Sequence, residues 1–172
     1  MQGVAARGES EVVVFDHTEG SEFAGPPVDA EMIRQAEDVL RVRLPKSYVD
    51  LLSVQNGGEL KKRCFPTASP TSWAPDHVCL DVLWGVGGEW GVDVVSPDMI
   101  AEWQYPEIGV VLGLTPSAGH DTVMLDYSEC GPLGEPAVAY IDEDRVPRRL
   151  ANSFEEFVNG FVSCRTFGDD ED

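Results

Sequence analysis

His120 and Asp121 stand side by side in a Gly119-His120-Asp121 turn, with Asp126 a short way further along the chain. An imidazole beside a carboxylate is the usual arrangement of a general base. A hydrolase built on that pair would also need a nucleophile or a metal. The chain has no Gly-x-Ser-x-Gly and no His-Glu-x-x-His element to supply one. Asp121 and Asp126 are therefore expected to serve the turn, the sheet edge or a partner, not catalysis. Trp84-Gly85-Val86-Gly87-Gly88-Glu89-Trp90-Gly91 is rich enough in glycine to suggest a phosphate loop. It lacks the Lys-Ser/Thr ending of one, and Glu89 would repel phosphate. A flexible acidic loop tipped by an aromatic is the better use of these residues. Glu89, Trp90 and Asp93, with Asp121 and Asp126, form the expected partner-binding set, and Trp84 is expected in the core.

Cys64, Cys79, Cys130 and Cys164 are widely spaced, with no Cys-x-x-Cys pair among them. His17, His77 and His120 fall at no spacing that suits a ligand set or a triad. The expectation is four buried thiols, no metal and no cofactor.

Charge is distributed very unevenly. From Cys64 to Asp144 the chain runs 81 residues without a lysine or arginine while carrying 14 Asp or Glu, against a net charge of −19 for the whole. The same block holds all four tryptophans and several apolar runs, so it reads as folded and not as a disordered acidic tail. A single-sign field of this kind repels nucleic acid and anionic membrane and attracts a basic protein surface. The bland alternative is a solvated face kept for solubility. No run approaches the roughly 18 apolar residues of a membrane span, and no apolar run of signal-peptide length opens the chain, so a cytoplasmic location is expected.

The elements that must position these residues are legible in outline. At 172 residues with 42% hydrophobic content, a single core without metal or disulfides is feasible. Residues 1–27, with the β-like run Val12-Val13-Val14-Phe15, read as an N-terminal extension. Asp29 suits the cap of a helix whose apolar face is Ile33, Ala36 and Leu40. Leu44-Pro45 breaks it and opens a second helix with Tyr48, Leu51, Leu52 and Gln55 on one face, closed by Asn56-Gly57-Gly58. The two read as a helical hairpin. Pro66 to Pro75 is a loop, and Val78 to Trp84 alternates as one half-buried strand. Ser96-Pro97-Asp98 looks like the start of a short helical turn. Val110 to Leu114 reads as a central strand, Thr122 to Tyr127 and Ala137 to Asp142 as a hairpin, and Arg145 to Leu150 as a last strand. Asp142-Glu143-Asp144 before Arg145 reads as a hairpin tip with self-neutralising charge. Ser153 and Glu156 form a capping box before Phe154, Phe157, Val158, Phe161 and Val162 at helical spacing. The order implies an α+β domain over 28–166, an antiparallel sheet flanked by the helical hairpin and a C-terminal helix, with an acidic tail at 167–172.

Three blocks in this order resemble the SUKH superfamily, in its branch related to the yeast Smi/Knr cell-wall synthesis regulators. They are Ile33 to Gly58 with Leu44-Pro45 and Asn56-Gly57-Gly58, Gly119 to Tyr127, and Val138 to Asp142 followed by Ser153-Phe154-Glu155-Glu156-Phe157. The chain departs from the family where Leu40-Arg41 replaces the usual Leu-Gly, so that turn must be made without glycine. The resemblance implies an α+β fold and no catalysis. It also implies either an immunity protein that neutralises a toxin, often a nuclease, or a regulatory scaffold. A nuclease presents a basic cleft to its polyanion, which suits an acidic inhibitor.

Overall fold

The computed structural model describes residues 14–16 and 21–168. Val12, Val13, His17 and the acidic residues 169–172 lie outside them. Asp29 caps the first helix, α1 (Ala30–Leu40), its carboxylate accepting from the Met32 N–H at 2.8 Å. The helix stops at Arg41, which adopts φ 59° in the left-handed region, and Glu37 accepts from the Leu44 N–H at 2.7 Å. The turn without glycine is thus made by an arginine in a conformation that costs an L-residue roughly 1–2 kcal/mol. Pro45 stands just ahead of α2 (Lys46–Val54), whose Tyr48 and Leu52 are buried. The two helices of the expected hairpin each have their main helical neighbour elsewhere. Helix α1 packs chiefly against α3 (Val92–Trp103), and α2 against α4 (Phe154–Asn159).

The sheets are antiparallel, and the mixed architecture is that of an α+β domain. Strands β1 (Gly58–Glu59), β4 (Val82–Leu83) and β6 (Gly113–Leu114) form one sheet in the order β1-β4-β6. A two-stranded ribbon joins β2 (Cys64–Pro66) to β3 (His77–Cys79). The main sheet is β5 (Gly109–Val111), β7 (Thr122–Asp126), β8 (Ala137–Ile141) and β9 (Pro147–Ala151), in the order β5-β7-β8-β9. Its β7–β8 pair carries the core, with Val123 opposite Tyr140 and Leu125 opposite Val138.

Two expected strands divide between sheets. Residues 78–82 alternate as expected, but Val82, Leu83 and Trp84 are buried in succession because the chain leaves β3 to join β4. Residues 110–114 split at Leu112, whose N–H reaches Val123 in the main sheet while its carbonyl receives Trp84 from the other side. Alternation predicts one solvent face, which a segment loses where it crosses between sheets.

Helix α3 begins at Val92, four residues ahead of the expected Ser96, with Pro97 inside it. The Pro97 ring removes one N–H just beyond the first turn. Ser96 instead points inward and accepts from the Val111 N–H at 2.9 Å, tying α3 to β5. The C-terminal helix is shorter than its pattern. Ser153 caps it, accepting from the Glu156 N–H at 3.1 Å, but Gly160 ends it. Beyond that point Val162 pairs with Cys64 as a strand would.

That pairing overturns the reading of four thiols. Cys164 reaches Cys64 and forms a disulfide across 100 residues, S–S 2.09 Å, and Cys130 is exposed. The chain returning along β2 brings them together, which spacing in sequence does not reveal. Residues 142–145 form the expected tip between β8 and β9, with Asp144 paired to Arg148, but Asp142 faces inward. It is buried and accepts from the Ser72 N–H at 2.8 Å, fastening the loop of residues 67–76. Parts of the N-terminal extension also enter the core: Phe15 is buried and bridges to Leu60, and Phe23 packs on Trp84. Among the described residues no helix is long and apolar enough to cross a membrane.

Candidate functional site

The glycine-rich loop of residues 85–91 is built from Asn56. This side chain is buried and donates to the carbonyls of Pro26 (2.7 Å) and Val86 (2.8 Å) while accepting from the Val86 N–H (2.8 Å). A Cβ on Gly85 would stand 2.3 Å from the Asn56 oxygen, so glycine is required there. Gly87 and Gly88 then take φ of 69° and 71°, and the Gly87 N–H donates to Asp93 at 3.0 Å. Asp93 is thereby half-buried and spends one oxygen on the loop, whereas Glu89 is exposed. Trp90 is also half-buried, stacked on Trp84 at 5.6 Å and edge-on to Phe23 at 5.4 Å. It is a wall of the core and not a free tip. The tryptophan that stands out into solvent is Trp73, 52% exposed.

Further acids follow Glu89 along the chain, on α3 and just after it. Asp98 and Glu102, one helical turn apart, are both exposed, and Glu107 follows just beyond the helix. Among the described residues none of these four acids has an ion-pair partner. A groove of about 890 Å³ has an apolar lining that includes Val39, Leu40, Ile100, Ile108 and Pro132, with Glu107 among its walls. Arg41 and Arg43 are exposed in the adjoining turn after α1. An apolar floor with a charged edge is the anatomy of a protein interface.

Asp121 and Asp126 occupy opposite ends of β7 and face different surroundings. Asp121 is only 5% exposed. One oxygen accepts from Thr115 and Ser117 hydroxyls, both at 2.5 Å, and the other from the Tyr140 hydroxyl at 2.5 Å. Burial first, and then this carboxylate, push the Tyr140 phenol well above its ordinary range. The His120 ring turns outward instead, edge-on to Trp103 at 5.0 Å and beside Trp73 at 6.2 Å. The adjacent pair in sequence is therefore not a pair in space. Asp121 is turned inward, with most of its acceptor capacity taken up by three internal hydroxyls. Asp126 is half-buried and closes its own turn, accepting from the N–H and hydroxyl of Ser128 at 2.9 and 2.6 Å.

A family model described as SUKH_6, SMI1-KNR4 cell-wall, matches residues 30–158. The chain belongs to the SUKH family. The matched span runs from α1 almost to the end of α4, and it covers the Asn56 anchor, the α3 acids and the Asp121 network. Phe15, Phe23 and Cys164 lie outside it. Neither a curated protein nor a solved structure matches the chain.

Within this SUKH domain the five expected contact residues do not form one patch. Glu89 and Asp93 belong to the α3 surface, Trp90 supports it from behind, Asp121 is internal, and Asp126 caps a turn. Asp98, Glu102 and Glu107 stand outside the expected set, although Asp98 and Glu102 share helical spacing in the sequence. Asn56 was taken only for a helix terminator, and no local signal distinguishes that role from an anchor formed with residues thirty positions away.

Proposed function

We propose that this SUKH domain is a non-enzymatic binding protein, an immunity-type inhibitor that docks a basic, nuclease-type toxin domain on the α3 face. The observation that carries the reading is the set Glu89, Asp98, Glu102 and Glu107, exposed and unpaired among the described residues, with Glu107 lining an apolar groove. Acids at the edge of such a surface steer a basic partner into encounter, and the groove supplies apolar area on docking. The divergence of His120 from Asp121 supports the absence of catalysis. A cytoplasmic location goes with the proposal, since an immunity protein meets its toxin inside the cell it protects.

The test is binding and protection with the toxin domain encoded beside this gene. Co-expression should rescue growth, and the association rate should fall clearly from low to physiological salt as the Debye length shortens to about 8 Å. Rescue without salt dependence would remove these acids from the mechanism, and absence of both binding and rescue would end the immunity reading. The printed description of the family, SMI1-KNR4 cell-wall, favours a second reading, a regulatory scaffold using the same face. An isolated locus with no toxin gene nearby, together with binding to several endogenous proteins, would select it.

A further inference from the structure

Three sulfurs converge at the edge of the β2–β3 ribbon. Cys64 and Cys79 stand directly opposite each other in register, with Sγ atoms 3.3 Å apart, and Cys64 is bonded to Cys164. All three sulfurs lie within 4.8 Å of one another. Backbone pairing holds them there: the Cys64 carbonyl accepts from the Val162 N–H at 2.8 Å, which delivers Cys164 two residues later. Cys64 and Cys164 are buried. Cys79 is half-buried and lines a cavity of about 330 Å³ together with His77, Ser117, Asp121 and Tyr140.

We propose that Cys64, Cys79 and Cys164, when reduced, form a three-thiolate site for a thiophilic d10 cation, Zn²⁺ or Cu⁺. Thiolates select these ions, and the metal–sulfur bond of about 2.3 Å sets ligand sulfurs about 3.8 Å apart. The cluster brackets that spacing once the Cys64–Cys164 bond opens, so only small side-chain shifts are needed. The fixed register supplies preorganisation, and the cavity beside Cys79 supplies an entry path and room for a fourth ligand on Zn²⁺. The disulfide and the cation exclude each other, because a cystine sulfur carries no thiolate to donate. Reduction with a phosphine breaks the S–S bond, gives two thiols, and leaves the phosphine oxide with oxygen taken from water. Three thiols then lose three protons to the solvent as their thiolates bind Zn²⁺, leaving a complex of net charge −1.

The experiment uses the full chain, reduced with a water-soluble phosphine, desalted under argon and titrated against a chromophoric chelator. One arm uses Zn²⁺ alone and the other Cu⁺ alone. The expected result is one cation per chain in at least one arm, with affinity rising with pH, and the arm that binds names the ion. The oxidised protein should bind neither. Cys79→Ser keeps the Cys64–Cys164 disulfide as a check on its fold, and after reduction should bind more than about 100-fold more weakly, beyond the loss that removal of a supporting group causes. Cys130→Ser, which alters an exposed cysteine elsewhere, should bind as the parent does. Failure of both ions to bind stoichiometrically would overturn the proposal, and so would binding that survives Cys79→Ser.

Discussion

Asp121 and Glu102 come from the same base-free stretch of chain and carry the same formal charge, yet they do opposite work. Asp121 is enclosed and holds Thr115, Ser117 and Tyr140 together through its two oxygens. Glu102 is exposed on α3 and has no ion-pair partner among the described residues. A buried charge persists only when hydrogen bonds replace its hydration, whereas a surface acid keeps its water and contributes to the long-range field. The acidic block is thus two populations. Counting charge along the chain overstates the acids available to a partner, and the excess is invested in the fold.

The largest test of that division is Asp121→Ala. It strands three hydroxyls in the interior, and we expect a loss of about 3–5 kcal/mol, the scale on which a buried charged network is broken. Urea denaturation would measure it. The folded variant should still associate with a basic partner at the parental rate. A variant that keeps its stability but loses binding would reverse the assignment and make Asp121 a contact residue.

Asn56→Ala follows in size, at about 2–3 kcal/mol, because the Pro26 and Val86 carbonyls and the Val86 N–H lose their buried partner. This change sharpens the comparison from the other side, since Asn56 sets the loop that presents Glu89. Thermal melting should record the loss. Protection of the loop amides of Gly87 and Gly88 from hydrogen exchange should drop more than that of β7. Uniform loss of protection would mean that the anchor supports the whole core and not the loop.

Alkaline titration probes the internal network without mutation. All four tyrosines are buried and each donates its hydroxyl inward: Tyr48 to Trp84, Tyr105 to Gly119, Tyr127 to Arg43, and Tyr140 to Asp121. Burial raises every one of these phenols above its ordinary value. Below about pH 10 both folded and unfolded chains keep the protons. Above it the unfolded chain ionises first and binds fewer protons, so stability falls as pH rises, by up to about 1.4 kcal/mol per pH unit for each tyrosine. Denaturation midpoints measured from pH 9 to 11 should decline, and Tyr140→Phe should remove one tyrosine's share of the slope. A flat profile in the parent would mean that the phenols ionise as freely folded as unfolded.

What the sequence revealed follows the range of each interaction. The Asp29 and Ser153 caps, the β7–β8 hairpin and the apolar faces of α1 and α2 rest on neighbours within a few positions, and they were legible. So was the family resemblance, carried by short blocks in fixed order. The Cys64–Cys164 bond, the reach of Asn56 to Val86 and the fastening of Ser72 by Asp142 depend on segments brought together from far along the chain, and spacing alone does not encode them. Residues 78–84 and 110–114 misled for another reason. Each passes between two sheets: the alternation of 78–84 loses its solvent face past Val82, and 110–114, read as one central strand, divides at Leu112. At the site, the acidic block itself was visible, but assigning Asp121 to the interior required knowing which hydroxyls the fold would deliver to it.

The smallest expected change in stability belongs to the acids of α3. Glu89, Asp98, Glu102 and Glu107 have no ion-pair partner among the described residues, so the combined change Asp98→Asn, Glu102→Gln, Glu107→Gln should shift stability by no more than about 0.5 kcal/mol. A slight gain is the expected sign, since the change removes repulsion within a chain of net charge −19. Its effect on association should be of another order. If these side chains steer a basic partner, the association rate measured by stopped flow at low salt should fall several-fold while dissociation changes little, and the parent and variant should converge as salt is raised. Equal rates for the two proteins at low salt would reduce the α3 acids to a solubility device. A large loss of stability would place them with Asp121, inside the fold's own economy of charge, and erase the distinction between the two populations.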